Sequence, residues 1–205
     1  MEGIEQMAPL VDPRLYAQLE GRRPQEVVMP PVCRFNDDDK SYTVTVWGTP
    51  YTVWPHRRQI WPVEKRGTHE YFPIFLINYL LAEKRRQTTG RWISEKDLTG
   101  GTTFFRGPHA IPTELIVQRF GDNIDELRQK CQAMGAVSLD MADCSFSFDV
   151  VGSVTIALLY WRGDEDFPAE AKLLFDSSVG ETMQLDVVYA LLCDACVRIA
   201  SEVRE

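Results

Sequence analysis

The stretch Leu158-Leu-Tyr-Trp-Arg-Gly-Asp-Glu-Asp-Phe-Pro168, followed by Leu173-Leu-Phe-Asp-Ser-Ser178, decides the fold class. An apolar run breaks at Gly163-Asp164 inside a group of carboxylates. A second apolar run then begins and stops at Asp176. Gly and Asp punctuate strands because they tolerate turn dihedrals and offer local hydrogen bonds, so the segment reads as two strands joined by an acidic loop. Just upstream, Cys144, Phe146 and Phe148 alternate with Ser145, Ser147 and Asp149, the period of a half-buried strand. Residues 154–161 form a fuller apolar run, as a central strand requires. Downstream, Leu185, Val188, Leu192, Cys196, Ile199 and Val203 make the stripe of an amphipathic C-terminal helix.

The first half adds a second β region and a different kind of helix. Asn36-Asp-Asp-Asp-Lys40 signals a turn, after which Tyr42, Val44 and Val46 alternate with Thr43 and Thr45. Gly48-Thr-Pro50 turns the chain into residues 51–54, a hairpin, and residues 59–63 add a proline-limited third strand. Residues 71–86 predict a helix whose apolar side chains (Phe72, Ile74, Phe75, Leu76, Ile77, Tyr79) cover nearly its whole circumference. Such a helix belongs in the interior. Residues 92–112 read as a long irregular loop, of the sort that often carries function. Helices are expected from Pro112 to a stop at Gly121 and from Asn123 to Met134. Five prolines in residues 8–31 leave room for one short helix, around residues 14–19, in an extended N-terminal arm of about residues 1–31. The order of elements predicts a single α+β domain over residues 1–205, with a mainly antiparallel sheet packed against a buried central helix and the C-terminal amphipathic helix.

Composition narrows function mostly by exclusion. The chain has 205 residues and a formal charge of −8, and its basic clusters, Arg57-Arg58 and Lys84-Arg85-Arg86, are too short to track a phosphate backbone. Nucleic acid is not the expected partner. No run approaches the ~18 apolar residues of a membrane span, and the acidic start Met1-Glu-Gly-Ile-Glu5 has no signal-peptide pattern. The five cysteines are scattered, which together with the missing signal points to free thiols in a reducing cytoplasm.

Candidate chemistry is sparse. Cys193-Asp-Ala-Cys196 supplies half a metal site or a dithiol, but it lies mid-helix on the apolar stripe, where buried structural thiols are expected and no metal. Asp164, Glu165 and Asp166, with Glu170 and Asp176, gather oxygen ligands at strand ends, a pattern open to a hard cation or to plain turn capping. His109 sits in a Gly-Pro loop, and no His-x-x-x-His spacing accompanies it. Phe104, Phe105 and the tryptophans offer flat surfaces for a ligand, or simply core. If there is a site, it is expected where the acidic hairpin meets the 92–112 loop, with Trp161, Asp164, Asp166, Asp176 and His109 as its members.

Tyr160-Trp161 leading into Gly163-Asp-Glu-Asp-Phe-Pro168, and Leu174-Phe-Asp-Ser-Ser178, resemble the family of domain of unknown function 3786. Residues 42–51, Asn78-Tyr-Leu-Leu81 and Thr89-Gly-Arg-Trp-Ile93 with Leu98-Thr-Gly-Gly101 resemble the family's early strand, central helix and following loop. The resemblance implies a cytoplasmic protein of an anaerobic bacterium or archaeon and transfers no catalytic residue or cofactor. Some relatives carry a cysteine-rich iron–sulfur segment; this chain has no four-cysteine cluster. The expected function is a non-catalytic accessory protein of anaerobic metabolism that binds a small ligand, cofactor or protein partner. The alternative is a metal-assisted enzyme using the hairpin carboxylates with His109. A third reading is a protomer that only self-associates.

Overall fold

Two antiparallel sheets share one core in the computed structural model, which describes residues 10–61, 67–82 and 87–202. The chain enters through α1 (Pro13–Gly21), where Asp12 caps the helix by accepting from Arg14 N at 2.9 Å and Pro13 occupies the first turn. A short α2 (Pro24–Val27) follows. Val11, Tyr16, Leu19 and Val27 are buried, so the described part of this region packs onto the domain. The proline spacing shows where helices start, but it does not show that their apolar faces dock.

The first sheet is a meander of β1 (Cys33–Asn36), β2 (Ser41–Val46), β3 (Thr49–Trp54) and β4 (Gln59–Trp61). The β2–β3 turn consists of Trp47 and Gly48, both at positive φ (52° and 74°), as a two-residue hairpin of this hand requires. Thr49 and Pro50 already belong to β3. Among the described residues β4 pairs only with Thr52, Val53 and Trp54, so the missing N–H of Pro50 interrupts no described β3–β4 pair.

The apolar helix is α3 (Phe72–Leu81), with Phe72, Phe75, Leu76, Ile77, Tyr79 and Leu80 buried. It ends when Ala82 turns to extended dihedrals (φ −60°, ψ 121°). The expected continuation over residues 83–86, like strand residues 62 and 63, lies outside the described residues. The 92–112 segment is more ordered than its composition implies. It holds β5 (Trp92–Ile93), α4 (Gly101–Phe104) and two 3₁₀ turns, Glu95–Asp97 and Gly107–His109. Helices α5 (Glu114–Phe120) and α6 (Ile124–Ala133) follow as expected, with Gly121 at φ 49° stopping α5 and Asn123 capping α6.

The second sheet runs in the order β5, β9 (Glu170–Asp176), β8 (Val154–Trp161), β7 (Cys144–Val151) and β6 (Val137–Ser138). A short α7 (Ser177–Thr182) and the long α8 (Leu185–Ala200) complete the chain. Ile156, Leu158 and Tyr160 of β8 face the main core. Ala157 and Leu159 face the other way, into a smaller cluster with Leu174, Trp92, Leu139, Ala142 and Trp161. Burial on both faces explains why β8 reads as a nearly continuous apolar run. The architecture is α+β and antiparallel, as expected, but the early strands form a sheet of their own. The sheets meet where Trp47 N donates to Val150 O at 2.8 Å and the Trp47 ring packs edge-on against Phe148, centroids 5.8 Å apart. Helices α3 and α5 pack against α8. No helix among the described residues is long and apolar enough to cross a membrane.

Candidate functional site

Asp176 ends β9 and caps α7. Its carboxylate accepts from Ser178 N at 2.9 Å, from Gly90 N at 2.8 Å, and from the backbone N and hydroxyl of Thr89. The side chain is buried, which by itself would raise its pKa. The hydrogen bonds from Ser178 and Thr89 outweigh burial and hold the carboxyl down at about 2. All the donors come from protein, so Asp176 locks the 87–91 segment onto the sheet and offers no free face to a ligand.

The acidic loop is organised by Asp164. Its Oδ1 accepts from Asp166 N at 2.9 Å and Phe167 N at 2.7 Å, while Asp164 N donates to Phe167 O at 2.8 Å. These are the bonds of a side-chain-closed turn. Asp166 is exposed and Phe167 is 71% exposed at the tip. Trp161 lies half-buried on the outer face of the second sheet, over the Leu159 and Leu174 cluster, next to the loop in the chain.

The five expected site residues are not gathered in one place. Trp161, Asp164 and Asp166 sit at the hairpin end of β9, where Trp161 pairs with Glu170. Asp176 is at the other end of that strand, six residues on and therefore about 20 Å away. His109 stacks on Phe104, centroids 4.6 Å apart, and meets Tyr189 of α8 edge-on at 5.4 Å. The neighbours of the acidic loop are instead Asp122, beside Gly163, and Asp143, which accepts from Arg162 N at 3.0 Å. Among the described residues no three His, Cys, Asp or Glu side chains are grouped as a cation would require.

Two features escape a one-dimensional reading. The first is a buried ion pair inside the cysteine motif. Asp194 Oδ2 accepts from Arg198 Nε at 2.7 Å and from Trp47 Nε1 at 3.2 Å, and Oδ1 accepts from His69 N at 3.0 Å. Arg198 also donates to the Tyr51 hydroxyl at 2.9 Å and lies 5.1 Å from the Phe72 ring centroid. Burial pushes the Asp194 carboxyl up, and Arg198 and the N–H donors pull against it. The i, i+4 spacing on an apolar helix was the available signal. Cys193 and Cys196 flank Asp194 as buried thiols, Cys193 raised by burial to about 11.

The second is a cleft of about 490 Å³ between α1, the β1–β2 turn and the 3₁₀ turn Pro55–Arg57. Phe35 is the partly exposed apolar side chain on it, its ring 4.8 Å from that of Tyr42, with the buried Leu19, Tyr42 and Pro55 behind. The charged groups on it differ in how far they are committed. Asp39 accepts from Ser41 Oγ at 2.6 Å and Trp54 Nε1 at 2.9 Å, and Lys40 pairs with Asp37 at 3.1 Å. Arg57 gives its Nε to His56 Nε2 at 3.1 Å, and its guanidinium lies 5.9 Å from the Trp54 ring centroid. The turn Asn36–Lys40 is recognisable in the sequence; that α1 folds against it is not.

A family model described as Domain of unknown function (DUF3786) matches residues 23–198. That span includes β1 to β9 and most of α8, and starts just after α1. Searches of the curated proteins and of the solved structures find no match.

Proposed function

Since the chain belongs to the domain of unknown function 3786 family, a membership that carries no chemistry with it, we propose from its geometry that it is a non-catalytic accessory protein that binds a small ligand. The observation that carries this reading is the cleft between α1 and the first sheet. Its volume of about 490 Å³ lies within the range of small-molecule sites, and it combines an apolar floor with a few polar groups, as such sites do. Its walls come from helix, strand and tight turns, so a ligand would meet a preformed surface. As part of the same proposal, the role is one in anaerobic metabolism, which is what the family resemblance implies. A metal-assisted enzyme built on the acidic hairpin with His109 would need those groups in one cleft. Instead, His109 lies against Tyr189 of α8, while the Asp164 carboxylate closes its own turn.

The test is saturation-transfer NMR on the full chain with a mixture of small carboxylates, amines, amino acids and neutral aromatics. Binding is expected for wild type and is lost in Asp38→Trp, which places a bulky ring across the mouth from an exposed turn and leaves the core intact. Equal signals from both proteins, or none from either, refute the reading.

A further inference from the structure

We infer that the cleft takes a zwitterion with an apolar body: a free α-amino acid with an apolar side chain. This deepens the small-ligand reading and rests on it. Several charges on the cleft are already spent, among them Arg22, which donates to Leu81 O at 3.4 Å. Asp39 and Asp37 are satisfied within the protein, by Ser41 and Trp54 and by Lys40 respectively. Asp38 and Glu20 line the same cleft, and neither carboxylate has an ion-pair partner among the described residues. On the opposite sign, Arg57 uses Nε for His56 and sets its guanidinium 5.9 Å from the Trp54 ring centroid, and its two terminal nitrogens, the fork suited to a carboxylate, have no hydrogen-bond partner among the described residues.

A simple anion would leave Asp38 and Glu20 unanswered, and a simple amine would leave Arg57 unanswered. A molecule carrying both an ammonium and a carboxylate answers both, and the partly exposed Phe35 ring, packed 4.8 Å from that of Tyr42, accepts its apolar part. Tyr42 and Leu19 are themselves buried, so that surface is backed by core and does not collapse when empty.

Calorimetric titration of the full chain with L-phenylalanine, 3-phenylpropionate and phenethylamine separates the classes, since the three share a ring and differ in their charges. L-Phenylalanine is expected to bind about tenfold or more tighter than either single-charge analogue. Arg57→Gln should bring L-phenylalanine down to the level of phenethylamine without changing phenethylamine itself. Asp38→Asn combined with Glu20→Gln should do the converse with 3-phenylpropionate. All three positions are exposed, so unfolding curves should match wild type. If either analogue binds as tightly as L-phenylalanine, the zwitterion inference is overturned. It is equally overturned if other small molecules bind the cleft and none of these three does; the small-ligand reading then survives. Binding by no compound of any kind removes both.

Discussion

Trp47 Nε1 donates a 3.2 Å hydrogen bond to the buried carboxylate of Asp194, 147 positions further along the chain. The bond joins the hairpin turn of the first sheet to the last helix. The same carboxylate holds Arg198 of its own helix and the N–H of His69, so one aspartate ties two distant segments to α8. Trp47 itself is held at positive φ, an unfavourable conformation for a bulky residue, and its ring and N–H contacts supply the compensation.

Breaking this pair from one side should be expensive. Arg198→Met leaves a buried carboxylate without its counter-charge and is expected to lower stability by about 3–5 kcal/mol. The double variant Asp194→Leu, Arg198→Met should lose clearly less than the sum of the two single changes, because neither charge is then stranded. Some loss persists, since Trp47 Nε1 and His69 N each lose an acceptor. Urea unfolding in a double-mutant cycle measures the coupling, and additivity within about 0.5 kcal/mol would contradict the arrangement.

Asp176 should make stability depend on acid. Its carboxyl titrates at about 2 in the fold against an ordinary 3.8. A lowered carboxyl pKa means that its contribution is complete above about pH 4 and disappears as the pH falls through about 2. At most about 2 kcal/mol is involved. Urea midpoints followed from pH 5 downward should therefore fall more steeply in wild type than in Asp176→Asn. The variant should already be weakened at pH 5, through loss of the α7 cap and of the Thr89 and Gly90 bonds.

Asp164→Asn is expected to behave differently. The exposed turn keeps one side-chain oxygen as an acceptor for Asp166 N and Phe167 N, so the melting temperature should move by less than about 2 °C. A larger fall by scanning calorimetry would show the carboxylate charge to be structural.

The five cysteines should be inert in the native state. All are buried, with burial raising Cys131 to about 12 and Cys193 to about 11, so little thiolate exists near neutral pH. An aromatic disulfide reagent at about pH 8 should label none of them quickly, and all five once urea is added. Rapid labelling of Cys193 in native protein would contradict its placement.

Much of the local structure was legible because its causes are local. Period-two alternation marks β7, a Gly-Asp break separates β8 from β9, and Gly121 and Asn123 punctuate α5 and α6. The site expectation was less well served. It grouped Asp164 and Asp176 because both follow apolar runs, but pairing of β8 with β9 sets them at opposite ends of one strand. Nothing in a linear pattern says that Thr89 and Gly90, 87 and 86 residues before Asp176, will satisfy its carboxylate.

The sequence by itself determined the α+β class, the antiparallel hairpin, the interior position of α3 and the amphipathic stripe of α8. Side-chain periodicity and turn chemistry act over a few residues and need no distant partner. Only the tertiary structure decided that the strands divide into two sheets, that Asp194 finds Arg198 and Trp47, and that α1 closes a cleft against the β1–β2 turn. These are contacts between segments far apart in the chain. Which of the many apolar faces and charges meet is set by packing the whole core at once.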